Sequence, residues 1–136
     1  MESSAPLVAV IDDEASICRA LSRLLRVANY RAETFCSAIP FLESLTREMP
    51  DCVVLDLQMP AMTGVELQQQ LLLLANPPPV IIITAHDEPK TRERCLALGA
   101  VCYLRKPIEG DVLLDSIEGA VRARREAAFR ETKVDR

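Results

Sequence analysis

The sequence predicts a doubly wound α/β sandwich, in which five parallel strands are covered on both faces by five helices. Three observations carry this expectation. Short, continuous apolar runs rich in β-branched residues recur along the chain, as strands buried on both faces require. Segments with helical apolar spacing separate them, and that alternation implies parallel pairing through right-handed crossovers. The connections are short and carry turn-forming residues.

Leu7–Ile11 is the first apolar run. Ile17, Leu21, Leu24 and Leu25 then mark one face of a helix that should close at Ala28-Asn29-Tyr30. Ala32–Phe35 is a weaker strand, followed by a helical stripe of Ala38, Phe41, Leu42 and Leu45. Met49-Pro50 precedes the run Cys52–Leu55, and Leu67, Leu71 and Leu74 mark the third helix. The segment holds more leucine than one buried stripe needs, so Leu72 or Leu73 is expected at the surface. Pro77-Pro78-Pro79 leads into Val80–Ile83; Cys95, Leu96 and Leu98 mark a fourth helix that Gly99 should close. Val101–Leu104 and the stripe Leu113, Ile117 and Val121 complete the set. With no internal repeat, residues 1–121 read as one domain and 122–136 as a helix end and basic linker or tail.

The 136 residues, 49% apolar and 26% charged, fit one globular core. No apolar run approaches the roughly 20 residues of a membrane span, and Met1 to Pro6 lack the basic and apolar parts of a signal peptide. A soluble cytoplasmic protein without membrane contact is expected. Five scattered cysteines, Cys18, Cys36, Cys52, Cys95 and Cys102, form no Cys-x-x-Cys pair, and His86 is the only histidine. That argues against zinc and for small packing residues in a reducing compartment. A net charge of −4 gives no general pull towards nucleic acid, although Arg122, Arg124, Arg125, Arg130, Lys133 and Arg136 make the tail basic. Such a cluster reads first as a solvated helix end, where cations suit the macrodipole.

In an open α/β sheet, ligands bind at the carboxyl ends of the strands. Here those ends carry Asp12-Asp13-Glu14, Asp56, Thr84-Ala85 and Arg105-Lys106-Pro107. Carboxylates brought to one small site repel each other unless their pKa values rise or a cation joins them. Mg²⁺ fits, with Mn²⁺ as an alternative, because it takes oxygen ligands from one or two carboxylates and from phosphates. Asp12 or Asp13 alone could be a helix cap. Asp56 emerges from a buried strand, and a carboxylate can attack phosphorus to give an acyl phosphate when a metal offsets the charge repulsion. The Lys106 ammonium and the Thr84 hydroxyl could then stabilise the transferring group. Singly, Lys106 reads as a surface lysine and Thr84 as a strand-end residue; their arrival at successive strand ends favours the functional reading.

From about Leu7 to Val121 the sequence resembles a response-regulator receiver domain of bacterial two-component signalling. The matching residues are Asp12-Asp13, Asp56-Leu57-Gln58-Met59-Pro60 with Gly64, Thr84-Ala85 and Lys106-Pro107. The resemblance implies a flavodoxin-like (CheY-like) sheet of order 2-1-3-4-5. It implies that Asp56 is the phosphoacceptor, that Asp13, Asp56 and the Gln58 backbone carbonyl ligate Mg²⁺, and that Asp12 assists through water. It also implies a cis bond between Lys106 and Pro107. Thr84 and Tyr103 would form the switch: the threonine moves to the phosphoryl group, and the aromatic ring fills the vacated space. Gln58 and His86 occupy positions that tune phosphoryl lifetime, although His86 also reads as an ordinary exposed loop residue.

The implied phosphodonor is a sensor histidine kinase, and the implied partner face is helix 4, strand 5 and helix 5, where phosphorylation could drive homodimer formation. Two other classes use related parts. A Mg²⁺-dependent aspartyl-phosphate phosphatase places an Asp-x-Asp motif first and its acidic pair last, the reverse of the order here. A flavin or nucleotide carrier needs a Gly-rich loop after the first strand, where this chain has Asp12-Asp13-Glu14-Ala15-Ser16. The sequence is similar to FixJ-type receivers, so the expectation is a non-enzymatic phosphoacceptor belonging to a transcription regulator, with DNA contact left to an output domain absent from these residues. A stand-alone receiver acting by protein contact is the alternative.

Overall fold

The computed structural model describes residues 5–134, so residues 1–4, part of the Met1 to Pro6 stretch expected to carry no signal peptide, and Asp135 and Arg136 of the tail lie outside the described residues. The elements run β1 (Leu7–Ile11), α1 (Ala15–Val27), β2 (Arg31–Phe35), α2 (Ala38–Ser44), β3 (Cys52–Asp56), α3 (Gly64–Leu71), β4 (Val80–Thr84), α4 (Pro89–Ala97), β5 (Cys102–Arg105) and α5 (Gly110–Val134). All strand pairs are parallel, in the order β2-β1-β3-β4-β5. The expected sandwich and strand order are both present.

The period-two pleat divides the apolar strand residues between two layers. Val8, Val10, Cys52, Val54, Ile81 and Ile83 pack with Cys18, Leu21 and Leu25 of α1 and Leu113, Ile117 and Val121 of α5. Ala9, Ile11, Val53, Leu55, Val80 and Ile82 pack on the other side with Phe41, Leu67, Leu71 and Cys95 from α2, α3 and α4. β1, β3 and β4 are buried throughout, which explains their unbroken apolar spelling; the edge strand β2 alternates between exposed and half-buried residues.

Helix ends follow local chemistry. Thr63 and Glu66 form a reciprocal capping box on α3. Gly99, with φ of 100°, closes α4: its N–H donates to the Leu96 carbonyl and that of Ala100 to the Cys95 carbonyl, the bonding of a Schellman motif. Asn29, with φ of 72°, closes α1 in the same way through Arg26 and Leu25. α3 stops at Leu71, short of the expected Leu74, and the chain turns towards Pro77-Pro78-Pro79, whose rings exclude a continuing helix. Both Leu72 and Leu73 are exposed, where one of the two was expected at the surface.

The largest difference lies at the carboxyl end. Residues 122–134, expected as a helix end and linker, continue α5 without a break for a total of 25 residues. Arg124 donates to the carbonyls of Asn76 and Pro77 at 3.3 and 2.9 Å, and Arg125 pairs with Asp51 at 3.4 Å. Part of the basic cluster thus ties the helix to the body of the domain.

Candidate functional site

β1 and β3 are adjacent, with Ile11 beside Leu55, so the next residues, Asp12 and Asp56, arrive together at the carboxyl edge. Asp12, Asp13 and Asp56 each place a carboxylate oxygen within 4.8 Å of the others. Asp12 and Asp56 are buried and Asp13 is exposed. Lys106 reaches in from the end of β5. Its Nζ donates to Asp12 Oδ2 at 2.9 Å and Glu14 Oε1 at 3.3 Å, and lies 3.5 Å from Asp56 Oδ1. The preceding backbone is fixed by Lys106 N–H donating to the Thr84 carbonyl at 2.7 Å, and the Lys106–Pro107 bond is cis.

The electrostatics of this pocket are unbalanced. Burial pushes the Asp56 carboxyl from 3.8 up to about 6, and Asp12 adds to the rise, against opposition from Lys106 and the Gln58 backbone amide. For Lys106, burial favours the neutral amine. The hydrogen bond to Asp12 and the charge of Asp56 outweigh that, so its pKa is raised. Asp56 Oδ1 is buried without a hydrogen-bond partner among the described residues. One ammonium among three close carboxylates leaves room for a hard cation, so the donor set fits a divalent metal with oxygen ligands.

Two backbone features hold Asp56 in place. Gly64 N–H donates to the Leu57 carbonyl at 3.1 Å. A Cβ on Gly64 would lie 2.7 Å from the Asp56 carbonyl oxygen and 2.8 Å from Leu57 Cα, so only glycine permits this approach of α3. The Gln58 side chain is exposed beside the pocket.

Thr84 is buried at the end of β4. Its hydroxyl donates to the His86 carbonyl at 3.2 Å and accepts from the His86 N–H at 3.0 Å, so it serves the turn and does not point freely into the acidic pocket. His86 itself is exposed. Ile82 is paired with Tyr103 across β4 and β5, and both belong to the layer under α2–α4. The pleat therefore puts Thr84 and Tyr103 on one face. The Tyr103 ring is buried against that layer with the Arg92 guanidinium 5.6 Å from its centre, and burial pushes the phenol pKa up. Its hydroxyl finds no hydrogen bond of good geometry among the described residues. The ring is thus packed while the Thr84 hydroxyl is bonded to His86.

The structure thus brings Asp12, Asp13, Asp56 and Lys106 into one cluster, with Thr84 and Tyr103 on a neighbouring path. Sequence reasoning missed three participants. Glu14 shares Lys106; its signal was its place in the acidic triplet. Cys18 donates its thiol to the Asp12 carbonyl at 3.2 Å, a consequence of where α1 packs. Gln68 is buried and donates to the Cys95 carbonyl of α4 at 2.9 Å; nothing in its residue type signalled this.

A flavodoxin-like α/β sheet with an acidic pocket and a lysine at its carboxyl edge is the architecture of CheY-like proteins, and sequence comparison takes the assignment further. The chain belongs to the response regulator receiver domain family, which it matches over residues 8–118. This is a family of phosphoacceptor signalling domains of two-component systems. The chain is 33% identical over 122 residues to the response regulator protein TodT of Pseudomonas putida, covering 90% of this chain and 54% of that protein. It is 36% identical over 119 residues to the transcriptional regulatory protein FixJ of Bradyrhizobium diazoefficiens, covering 88% and 58%. The structure of the response regulator StyR superposes with a TM-score of 0.88 at 39% identity, covering 97% of this chain and 67% of that one. The chain spans about half the length of these curated relatives. Among the described residues, no helix is long and apolar enough to cross a membrane.

Proposed function

We propose that this receiver domain accepts a phosphoryl group on Asp56 from a phosphohistidine of a sensor kinase and converts that event into a change of its α4–β5–α5 face. The observation that carries the reading is the buried Asp56 carboxylate, with one oxygen unpartnered, beside two further carboxylates and the Lys106 ammonium. Asp13, Asp56 and the Gln58 carbonyl would hold Mg²⁺, with Asp12 assisting through water. Bound there, the ion supplies positive charge that lets a carboxylate and a phosphoryl donor, both anionic, approach.

A bond forms between an Asp56 oxygen and phosphorus as the phosphorus–nitrogen bond of the donor breaks. Lys106 already lies 3.5 Å from Asp56 Oδ1, and its ammonium can shift from Asp12 to a phosphoryl oxygen. The added charge of about −1.5 to −2 gives the Thr84 hydroxyl a stronger acceptor than the His86 carbonyl it now uses. Turning Thr84 changes the face it shares with Tyr103. Because the ring is already buried, the change tightens the packing of Thr84, Tyr103 and α4 and does not admit the ring for the first time. That face would carry a phosphorylation-dependent homodimer. The relatives described as transcriptional regulators support an output in transcription, through a DNA-binding domain beyond these residues.

The test is labelling with a small acyl phosphate and Mg²⁺. Wild type gains one base-labile phosphoryl group per chain and Asp56→Asn gains none; equal labelling of the variant would overturn the assignment of Asp56.

A further inference from the structure

Two thiols approach each other beside the acidic pocket, and the phosphoacceptor chemistry uses neither of them. Of the five cysteines only Cys36 is exposed. It follows Phe35 at the end of β2 and lies outside any helix or strand, in the short connection to α2. Cys18 is buried on α1. Its thiol donates to the Asp12 carbonyl at 3.2 Å, and its sulfur lies 3.9 Å from the Phe35 carbonyl oxygen.

The peptide bond from Phe35 to Cys36 bounds the remaining gap. With standard bond lengths added to that sulfur–oxygen contact, the Cys36 Cα lies within about 7 Å of the Cys18 sulfur. Side-chain direction favours the approach. Phe35 packs in the layer under α2–α4, whereas Ala32 packs under α1 and Thr34 shares a hollow with Cys18. The pleat carried one residue past β2 turns Cys36 to the α1 side, and charge on Cys36 acts on the Cys18 thiol. Disulfide-bonded cysteines usually have Cα atoms about 4.4–6.8 Å apart, so a small shift of the β2–α2 connection closes the bond. The other three cysteines are placed differently. Cys52 and Cys95 are buried in opposite core layers, and Cys102 sits 3.5 Å from the Ser116 hydroxyl.

We propose that Cys36 and Cys18 form a redox modification site, at which peroxide drives a disulfide that disturbs Asp12 and slows phosphoryl acceptance at Asp56. Peroxide oxidises the exposed Cys36 thiol to a sulfenic acid and is itself reduced, releasing one water. The Cys18 sulfur then bonds to the Cys36 sulfur, the sulfur–oxygen bond breaks, and the oxygen leaves with the Cys18 proton as a second water. Two thiols are oxidised for one peroxide reduced. In the disulfide, Cys18 has no hydrogen left for the Asp12 carbonyl. Asp12 is fully buried and its carboxylate holds Lys106 at 2.9 Å, so a shift of this backbone moves the groups that surround Asp56. Disulfides of reducing compartments are typically transient and sensing, which suits a bond made by one exposed thiol and one buried partner. The effect on phosphorylation rests on Asp56 being the phosphoacceptor; formation of the bond does not.

The test treats the full chain with hydrogen peroxide, alkylates it without reduction and maps its peptides by mass spectrometry. Labelling by acyl phosphate and Mg²⁺ is timed before peroxide, after it, and again after dithiothreitol. Oxidised wild type is expected to yield a joined Cys18–Cys36 peptide, to label about tenfold to a hundredfold more slowly, and to recover with dithiothreitol. Cys36→Ser, at an exposed position, should label at the reduced wild-type rate with and without peroxide. Cys18→Ser should yield no disulfide and leave Cys36 as the sulfenic or sulfinic acid. A wild-type Cys36 that stops at the sulfinic acid, or that pairs between two chains, would overturn the site. A Cys18–Cys36 bond with unchanged labelling, or a Cys36→Ser protein that peroxide still slows, would overturn its effect on Asp56. Reduced wild type that does not label at all counts against the Asp56 assignment, and the peptide map still decides the bond.

Discussion

At the carboxyl edge of the sheet, three carboxylates and one lysine crowd a pocket in which an Asp56 oxygen has no hydrogen bond among the described residues. At the amino edge, Asp51 accepts from the Leu7 N–H at 2.9 Å and pairs with Arg125, while Arg124 donates to the carbonyls of Asn76 and Pro77. The same sheet thus has one edge whose polar groups are matched and one whose carboxylates outnumber the single ammonium among them. The matched edge holds α5 to the domain. The unmatched edge pushes the Asp56 carboxyl up to about 6, a poor arrangement for stability and a suitable one for binding a cation and accepting a phosphoryl group.

The sharpest way to break the unmatched edge is through Gly64. Gly64→Ala forces a methyl against the Asp56 carbonyl and Leu57 backbone, so it should cost about 3 kcal/mol in urea unfolding and abolish acyl-phosphate labelling. Normal labelling would show that the Asp56 backbone needs no such close support.

Next in size is the charge of Asp56 itself. Its folded pKa of about 6 lies above 3.8, so in metal-free protein its stabilising contribution is full below about pH 4 and is lost as pH rises through about 6. Asp56→Asn removes that loss and should stabilise metal-free protein at pH 7 by up to about 3 kcal/mol. Melting curves from pH 4 to 8 in chelator should converge at the acidic end; parallel curves would refute the imbalance. Mg²⁺ should narrow the gap by stabilising wild type and not the variant, by about 2.7 kcal/mol at 100 times its dissociation constant.

The amino edge should respond more mildly. Arg124→Ala removes two hydrogen bonds at an exposed junction and should cost about 1 kcal/mol in the same unfolding assay, with labelling unchanged. Smallest is Gly119→Ala. A Cβ there meets nothing within 4 Å on a helix interior, so it should add about 0.5–1 kcal/mol and give the opposite sign to Gly64→Ala.

Much of the fold was legible because burial on both faces forces continuous apolar strands. The runs at Leu7–Ile11, Cys52–Leu55 and Val80–Ile83 fall within β1, β3 and β4, each of the last two ending one residue later on Asp56 or Thr84. The acidic cluster was legible because the carboxyl ends of parallel strands converge. The continuation of α5 was not legible: an arginine-rich segment has the same composition whether solvated or docked, and only the carbonyls of Asn76 and Pro77 distinguish the two.

By itself the sequence determined the alternation of elements, the family, and which residues reach the carboxyl edge, since these depend on periodicity and on residues local to each strand end. Only the tertiary structure decided the hydrogen bond of Thr84 to His86, the burial of the Tyr103 ring and the buried Gln68. Each of these depends on contacts between segments far apart in the chain, where distance and burial set the energy and residue type alone does not.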